Sequence, residues 1–181
     1  TTFVMKLPIR HPVIVAKSVS SVAVLTNNRF DFGVGTSPWP DDYRVTGVPW
    51  KARGRRMDEI IQCMQGLLAG GFYRHAGEFY DIESVKLCPI PSEPVPLLIG
   101  GHSERALRRA AQVGDGWLHA GGDPAQLQKM IQRLGSLRAD LGRTGRFDVR
   151  VISLEAYTVD GVRRLEDMGV TDVIVGFRNA Y

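Results

Sequence analysis

Hydrophobic positions along this chain follow two alternating patterns. Short β-branched runs at 2–7, 30–34, 95–99, 116–119, 149–154 and 172–175 read as buried strands. Between them apolar residues return with the helical period, most clearly at Met57, Ile60, Ile61, Met64, Leu67 and Leu68, and again at Leu127, Met130, Ile131, Leu134, Leu137 and Leu141. Such stripes predict one-sided helices packed on another layer. Strands alternating with helices imply parallel pairing through crossover helices, hence an α/β fold.

The punctuation agrees with these periods. Pro12 suits the first turn of a helix over 13–25, Ser103 can cap a helix over 104–113, and Asp123-Pro124 opens one over 126–141. Gly114, Gly142 and Gly169 stand where helices should stop. One connection breaks the rhythm: residues 36–94 hold a long helix over 51–69 and two short extended pieces around a tight turn within 72–80. It reads as an insertion on a βα loop of a single domain spanning 1–181, and loops of that size in α/β folds shape ligand sites. Six βα steps alone do not choose between an open doubly wound sheet and a (β/α)8 barrel, which typically takes about 250 residues.

Composition narrows the class. With 44% apolar and 23% charged residues, 20 Gly and 10 Pro in 181 residues, the chain is that of an ordinary globular protein. No apolar run is long enough for a membrane span, and the start lacks the charged and apolar regions of a signal peptide. Of the two cysteines, Cys63 falls on a helical apolar face and Cys88 in a Pro-rich connection, which fits a reducing cytoplasm. The charge of +4, from 23 Lys+Arg against 19 Asp+Glu, is spread without a basic stripe, so an anionic small ligand suits it better than nucleic acid.

The strongest local chemistry lies in 96–111, where a buried strand runs into Gly100-Gly101-His102-Ser103 and a helix begins at once. Unpaired N–H groups of a first helical turn, two glycines that allow close approach and the Ser103 hydroxyl make an anion site suited to phosphate. The alternative use of the two glycines is a tight strand-to-helix turn and nothing more. A second pair, Gly33 and Gly35, also ends a strand, and ligands of parallel α/β folds gather at that edge. Trp117 follows Gly114-Asp115-Gly116 inside a strand, where core packing competes with a site role.

Other chemistries find little support. His11, His75, His102 and His119 lack metal-ligand spacing, and no Gly-x-Ser-x-Gly, Walker or Gly-x-Gly-x-x-Gly sequence occurs. Asp41-Asp42 read as a solvated turn without helix, and Arg53, Arg55 and Arg56 as a solvated face forming local ion pairs with Asp58-Glu59. One of these arginines reaching an anionic ligand is the competing role.

As an ordered set, Leu7-Pro8-Ile9-Arg10-His11-Pro12, Arg29-Phe30-Asp31-Phe32-Gly33-Val34-Gly35, Arg56-Met57-Asp58-Glu59, Gly77-Glu78-Phe79-Tyr80, Pro96 to Ser103 and Gly114-Asp115-Gly116-Trp117 resemble the luciferase-like monooxygenase superfamily. The detail is similar to its F420-dependent branch. The resemblance implies a TIM barrel with an insertion after its fourth strand, the present strands being the third to eighth and the first two having no counterpart here. It also implies a coenzyme at the carboxyl mouth, either F420 or FMN. Gly100, Gly101, His102 and Ser103 would hold its phosphate, Gly33 and Gly35 would line the ring pocket, and Trp117 would follow the phosphate turn.

The implied activity is hydride transfer between deazaflavin C5 and a small organic substrate, with His11 as the one histidine nominated for proton donation; a cap of the following helix is its other reading. An FMN-dependent monooxygenase and a non-catalytic flavin- or deazaflavin-binding protein are the alternatives. A homodimer through the stripe from Met57 to Leu68 is an expectation only if that stripe is not packed within its own fold.

Overall fold

Strand β1 (Met5–Lys6) runs parallel to β2 (Phe32–Gly35), Met5 opposite Val34 and Lys6 opposite Gly35, with α1 (Pro12–Leu25) as the crossover. The computed structural model describes residues 1–176, which divide into two compact units, Thr1–Pro96 and the described residues from Leu97 onward. β1 is shorter than the predicted 2–7. Pro8 has no N–H to give a ladder, and Leu7–Ile9 turn instead as a 3-10 helix. At the other end a side chain takes over the pairing: Thr2 Oγ1 accepts the Gly33 N–H at 2.9 Å and donates to the Gly33 carbonyl at 2.8 Å.

After β2 comes α2 (Pro40–Thr46), where the sequence reading expects a turn without helix. Pro40 occupies the first turn, Asp41 and Asp42 complement the positive end of the helix dipole, and Gly47 closes it at φ +68°. α3 (Arg53–Leu68) buries Met57, Ile60, Ile61, Met64 and Leu67 while packing on α1, whose Val15, Ala16, Val19 and Ala23 are buried in turn. The predicted stripe is therefore packed inside this unit, so it is not a free surface for a homodimer.

Strands β3 (Phe72–Ala76) and β4 (Asp81–Lys86) form the antiparallel hairpin of the insertion. Its turn is held from α3 by Glu59, whose carboxylate accepts the N–H groups of Phe79 and Tyr80 at 2.9–3.1 Å and lies 3.1 Å from His75 Nε2. The local pairs expected for the arginine cluster do not form with Glu59. Arg55 reaches Glu78 at 2.6 Å, Arg53 stacks on Trp50, and Arg56 lies over Phe79 and Tyr80.

The second unit is a four-strand parallel ladder: β5 (Leu97–Gly100), β6 (Gly116–His119), β7 (Asp148–Ile152) and β8 (Asp172–Ile174). Its crossovers are α4 (Glu104–Val113), α5 (Pro124–Asp140) and α6 (Val159–Asp167). Asp115 ties the ladder at its start, its carboxylate and N–H both engaging the backbone of Leu97 at 2.8 Å. Register sets Ile99, Trp117 and Val149 abreast on one face, with His119 beside Val151 further along. The opposite face carries Asp148 and Arg150, which pair at 2.8 Å, and Arg150 also lies 3.5 Å from Asp172.

β7 stops at Ile152, short of the predicted 154, because Ser153 caps a 3-10 turn over Leu154–Tyr157 through the Glu155 N–H. α6 starts on a Thr158 cap that accepts the Gly161 N–H at 3.0 Å. No helix among the described residues is long and apolar enough to cross a membrane.

Candidate functional site

The turn between β5 and α4 is built so that only glycine serves at Gly101. Its φ is +124°, and a Cβ there would stand 2.9 Å from that of Ala106. Ser103 is the helix cap, its Oγ accepting the Ala106 N–H at 3.3 Å and its carbonyl the Leu107 N–H at 3.0 Å. The Glu104 and Arg105 N–H groups point from the open first turn, and the Ser103 hydroxyl proton is still available to donate. Strand end, first-turn amides and hydroxyl are the donor chemistry that the sequence analysis expects of an anion site.

Beneath the turn Trp117 is fully buried and donates its indole N–H to the Gly101 carbonyl at 2.9 Å. It acts on the turn from behind and presents no open face to a ligand. Beside it the rings of His102 and His119 stack, with centroids 4.3 Å apart and planes 20° from parallel. His102 is exposed whereas His119 is 2% exposed. His119 Nδ1 accepts the Gly121 N–H at 3.2 Å, which leaves the ring proton on Nε2. Burial, with the neighbouring His102 adding to it, pushes the His119 pKa down to about 4. Burial also lowers His102. Both rings are neutral at neutral pH, so they stack without charge repulsion and offer N–H donors.

Gly100, Gly101, His102, Ser103 and Trp117 thus come together in the second unit. Gly33, Gly35 and His11 belong to the first. Both glycines are buried within β2, and Gly33 has its backbone engaged by Thr2. His11 holds the N-cap position of α1 through its backbone carbonyl, but its side chain makes no cap bond. The exposed ring meets Tyr80 edge-on with centroids 5.7 Å apart.

Two features escape local sequence reasoning. Lys6, at the carboxyl end of β1, pairs with Asp42 of α2 at 2.6 Å, and the buried Ser37, at φ +61°, donates to the same Asp42 oxygen at 2.5 Å. The Lys6 and Ser37 hydrogen bonds hold the Asp42 carboxyl below its usual range. The available signal was Asp42 in a first helical turn just beyond a strand end. His119 is the other, recognisable only as the strand-mate of Trp117 on the same face.

Burial pushes the Cys63 thiol up, and pushes the Tyr43 and Tyr73 hydroxyls to about 12. No group of three or more His, Cys, Asp or Glu able to hold a metal occurs among the described residues.

Residues 1–167 match the family described as luciferase-like monooxygenase. An uncharacterised protein of Mycobacterium tuberculosis (strain ATCC 25618 / H37Rv) is 55% identical over 179 residues, covering 99% of this chain and 62% of the relative. Among solved structures, the monooxygenase RslO1 of Streptomyces bottropensis superposes with a TM-score of 0.72 at 18% identity, over 90% of this chain and 51% of that one. An F420-dependent secondary alcohol dehydrogenase in complex with an F420-acetone adduct gives 0.72 at 19% identity, over 84% and 47%. The two structures share the fold, and the chain spans about half their length.

Proposed function

The chain belongs to the luciferase-like monooxygenase family, and from that premise we propose that it is an F420-dependent oxidoreductase acting on a small organic substrate. The observation that carries this reading is the braced turn from Gly100 to Ser103. Its glycine cradle, the open amides of Glu104 and Arg105 and the Ser103 hydroxyl fit the phosphate of a coenzyme. A bound deazaflavin would supply hydride transfer at C5. The protein's own residues bind and orient: the turn from Gly100 to Ser103 fixes one end of the coenzyme. His11 is the proposed proton donor to the substrate, its exposed ring steadied by Tyr80.

The F420-dependent alcohol dehydrogenase among the structural neighbours supports the deazaflavin. The neighbouring monooxygenase supports a second reading, in which the same turn holds FMN and oxygen is consumed. Trp117 lies directly under the turn, so its fluorescence reports on occupancy. Titration of the full-length protein with F420 and separately with FMN, repeated on Ser103→Ala, tests the assignment. Tighter F420 binding that weakens in the variant is the expected result. Preference for FMN replaces the deazaflavin reading with the monooxygenase, and unchanged affinity in Ser103→Ala removes the phosphate from this turn.

A further inference from the structure

We infer that His119 is a positioning residue for the coenzyme's phosphate: stacked against His102, it holds that ring at the glycine turn. The inference rests on the reading of the Gly100 to Ser103 turn as the phosphate site and extends it to a residue outside the turn. The geometry is specific. A histidine following two glycines at the surface, with its ring in water, has several rotamers open to it and would lose that freedom on binding. Here the His102 ring has a partner 4.3 Å away in near-parallel stacking, and that partner is almost wholly buried.

His119 is itself fixed from two sides. Its Nδ1 takes the Gly121 N–H at 3.2 Å, and the Trp117 ring packs against it with centroids 5.2 Å apart. Trp117 also holds the Gly101 carbonyl at 2.9 Å. The two aromatic residues of β6 therefore support successive residues of the turn, Trp117 through a hydrogen bond to Gly101 and His119 through a stack on His102. Strand alternation makes this possible, since Trp117 and His119 project from the same face of β6. The Nδ1 bond also selects the His119 tautomer and keeps that ring uncharged, so a neutral His102 can lie flat on it.

The inference predicts that His119 acts only through His102, which a double-mutant cycle reads directly. Coenzyme dissociation constants are measured on the full-length protein for His119→Ala, His119→Phe, His102→Ala, the His102→Ala/His119→Ala pair and Ser103→Ala, using F420 and FMN as probes. His119→Ala should raise the dissociation constant by about tenfold. His119→Phe keeps a flat ring under His102 and should recover most of the loss, which a purely structural role of the imidazole hydrogen bond would not allow. The double variant should bind no worse than His102→Ala alone.

Additive losses in the double variant, or a Phe variant as weak as the Ala variant, overturn the inference while the phosphate assignment stands. If Ser103→Ala leaves affinity unchanged, the phosphate assignment fails and this inference fails with it.

Discussion

The carboxylate of Glu59 on α3 accepts the backbone N–H of Tyr80, across the insertion hairpin, at 2.9 Å. The same group takes the Phe79 N–H and His75, so one side chain fastens the whole turn between β3 and β4 to the helix. Glu59→Gln keeps the shape but replaces an all-acceptor group by one that carries two donors facing N–H groups. The variant should lose about 1–3 kcal/mol of stability. Hydrogen exchange should show the loss concentrated in residues 72–86; uniform loss over the chain would contradict the assignment.

Acid should destabilise the protein in two stages. His119 has a folded pKa of about 4 against an ordinary 6.5, so the unfolded chain takes up a proton between these values that the folded chain refuses. Stability therefore falls as pH drops from about 6.5 to about 4, by at most about 3 kcal/mol. Burial tends to raise the Glu59 and Asp148 carboxyls. Hydrogen bonds from Tyr80, His75 and Phe79 to the one, and from Arg150 and Arg146 to the other, outweigh it and hold both below their ordinary range. Their contribution is complete above the ordinary carboxylate pKa and is lost as pH falls through the depressed folded values. Denaturant midpoints measured from pH 7.5 to pH 3 check the profile, and His119→Phe should diminish the earlier stage, to which His102 also contributes, while leaving the later one.

Gly116 permits the close approach of β6 to β7. A Cβ there would stand 2.6 Å from the Asp148 carbonyl oxygen and 2.6 Å from a Leu98 methyl. The ladder cannot yield at the backbone without breaking its hydrogen bonds, so Gly116→Ala should cost about 1–3 kcal/mol. Thermal melts read this directly, and the same change at Gly145, which has open space around it, is the control.

Trp117→Phe separates the indole N–H from ring volume. It leaves the Gly101 carbonyl without its donor, for a loss of about 1–3 kcal/mol, and frees the turn it braces. Coenzyme affinity should fall along with the melting temperature. A variant with a lowered melting temperature but unaltered affinity would show that the brace serves the fold alone.

Much of this architecture was legible because local chemistry and tertiary role coincide. Residues 104–113 become a helix where expected, since Ser103 caps it and Ala106, Leu107, Ala110 and Ala111 give it a buried face. Residues 116–119 are a strand as expected. Elsewhere a local reading met a competing effect. Pro8 cut the first strand to Met5–Lys6, and Asp41-Asp42 were the opening turn of a helix once Pro40 and Gly47 were read as its two ends.

The strand-to-helix turn at Gly100 to Ser103 could be read from the chain, but its supports could not. His102 and His119 meet only because β5 and β6 lie in parallel register, and Glu59 finds His75 only after the hairpin folds back on α3. The pairing of Lys6 with Asp42 likewise joins two elements distant in sequence.

β8 is three residues long, and Asp172 is the register partner of Arg150, which already holds Asp148. Shifting β8 by one residue would carry the Asp172 carboxylate to the opposite face and set the apolar Val173 against a guanidinium. A strand this short has few ladder bonds with which to choose its alignment, so the charge pattern across β7 and β8 acts as the alignment mark for the end of the sheet. Thr171 reinforces it by clasping both the N–H and the carbonyl of Val149 just ahead of the strand.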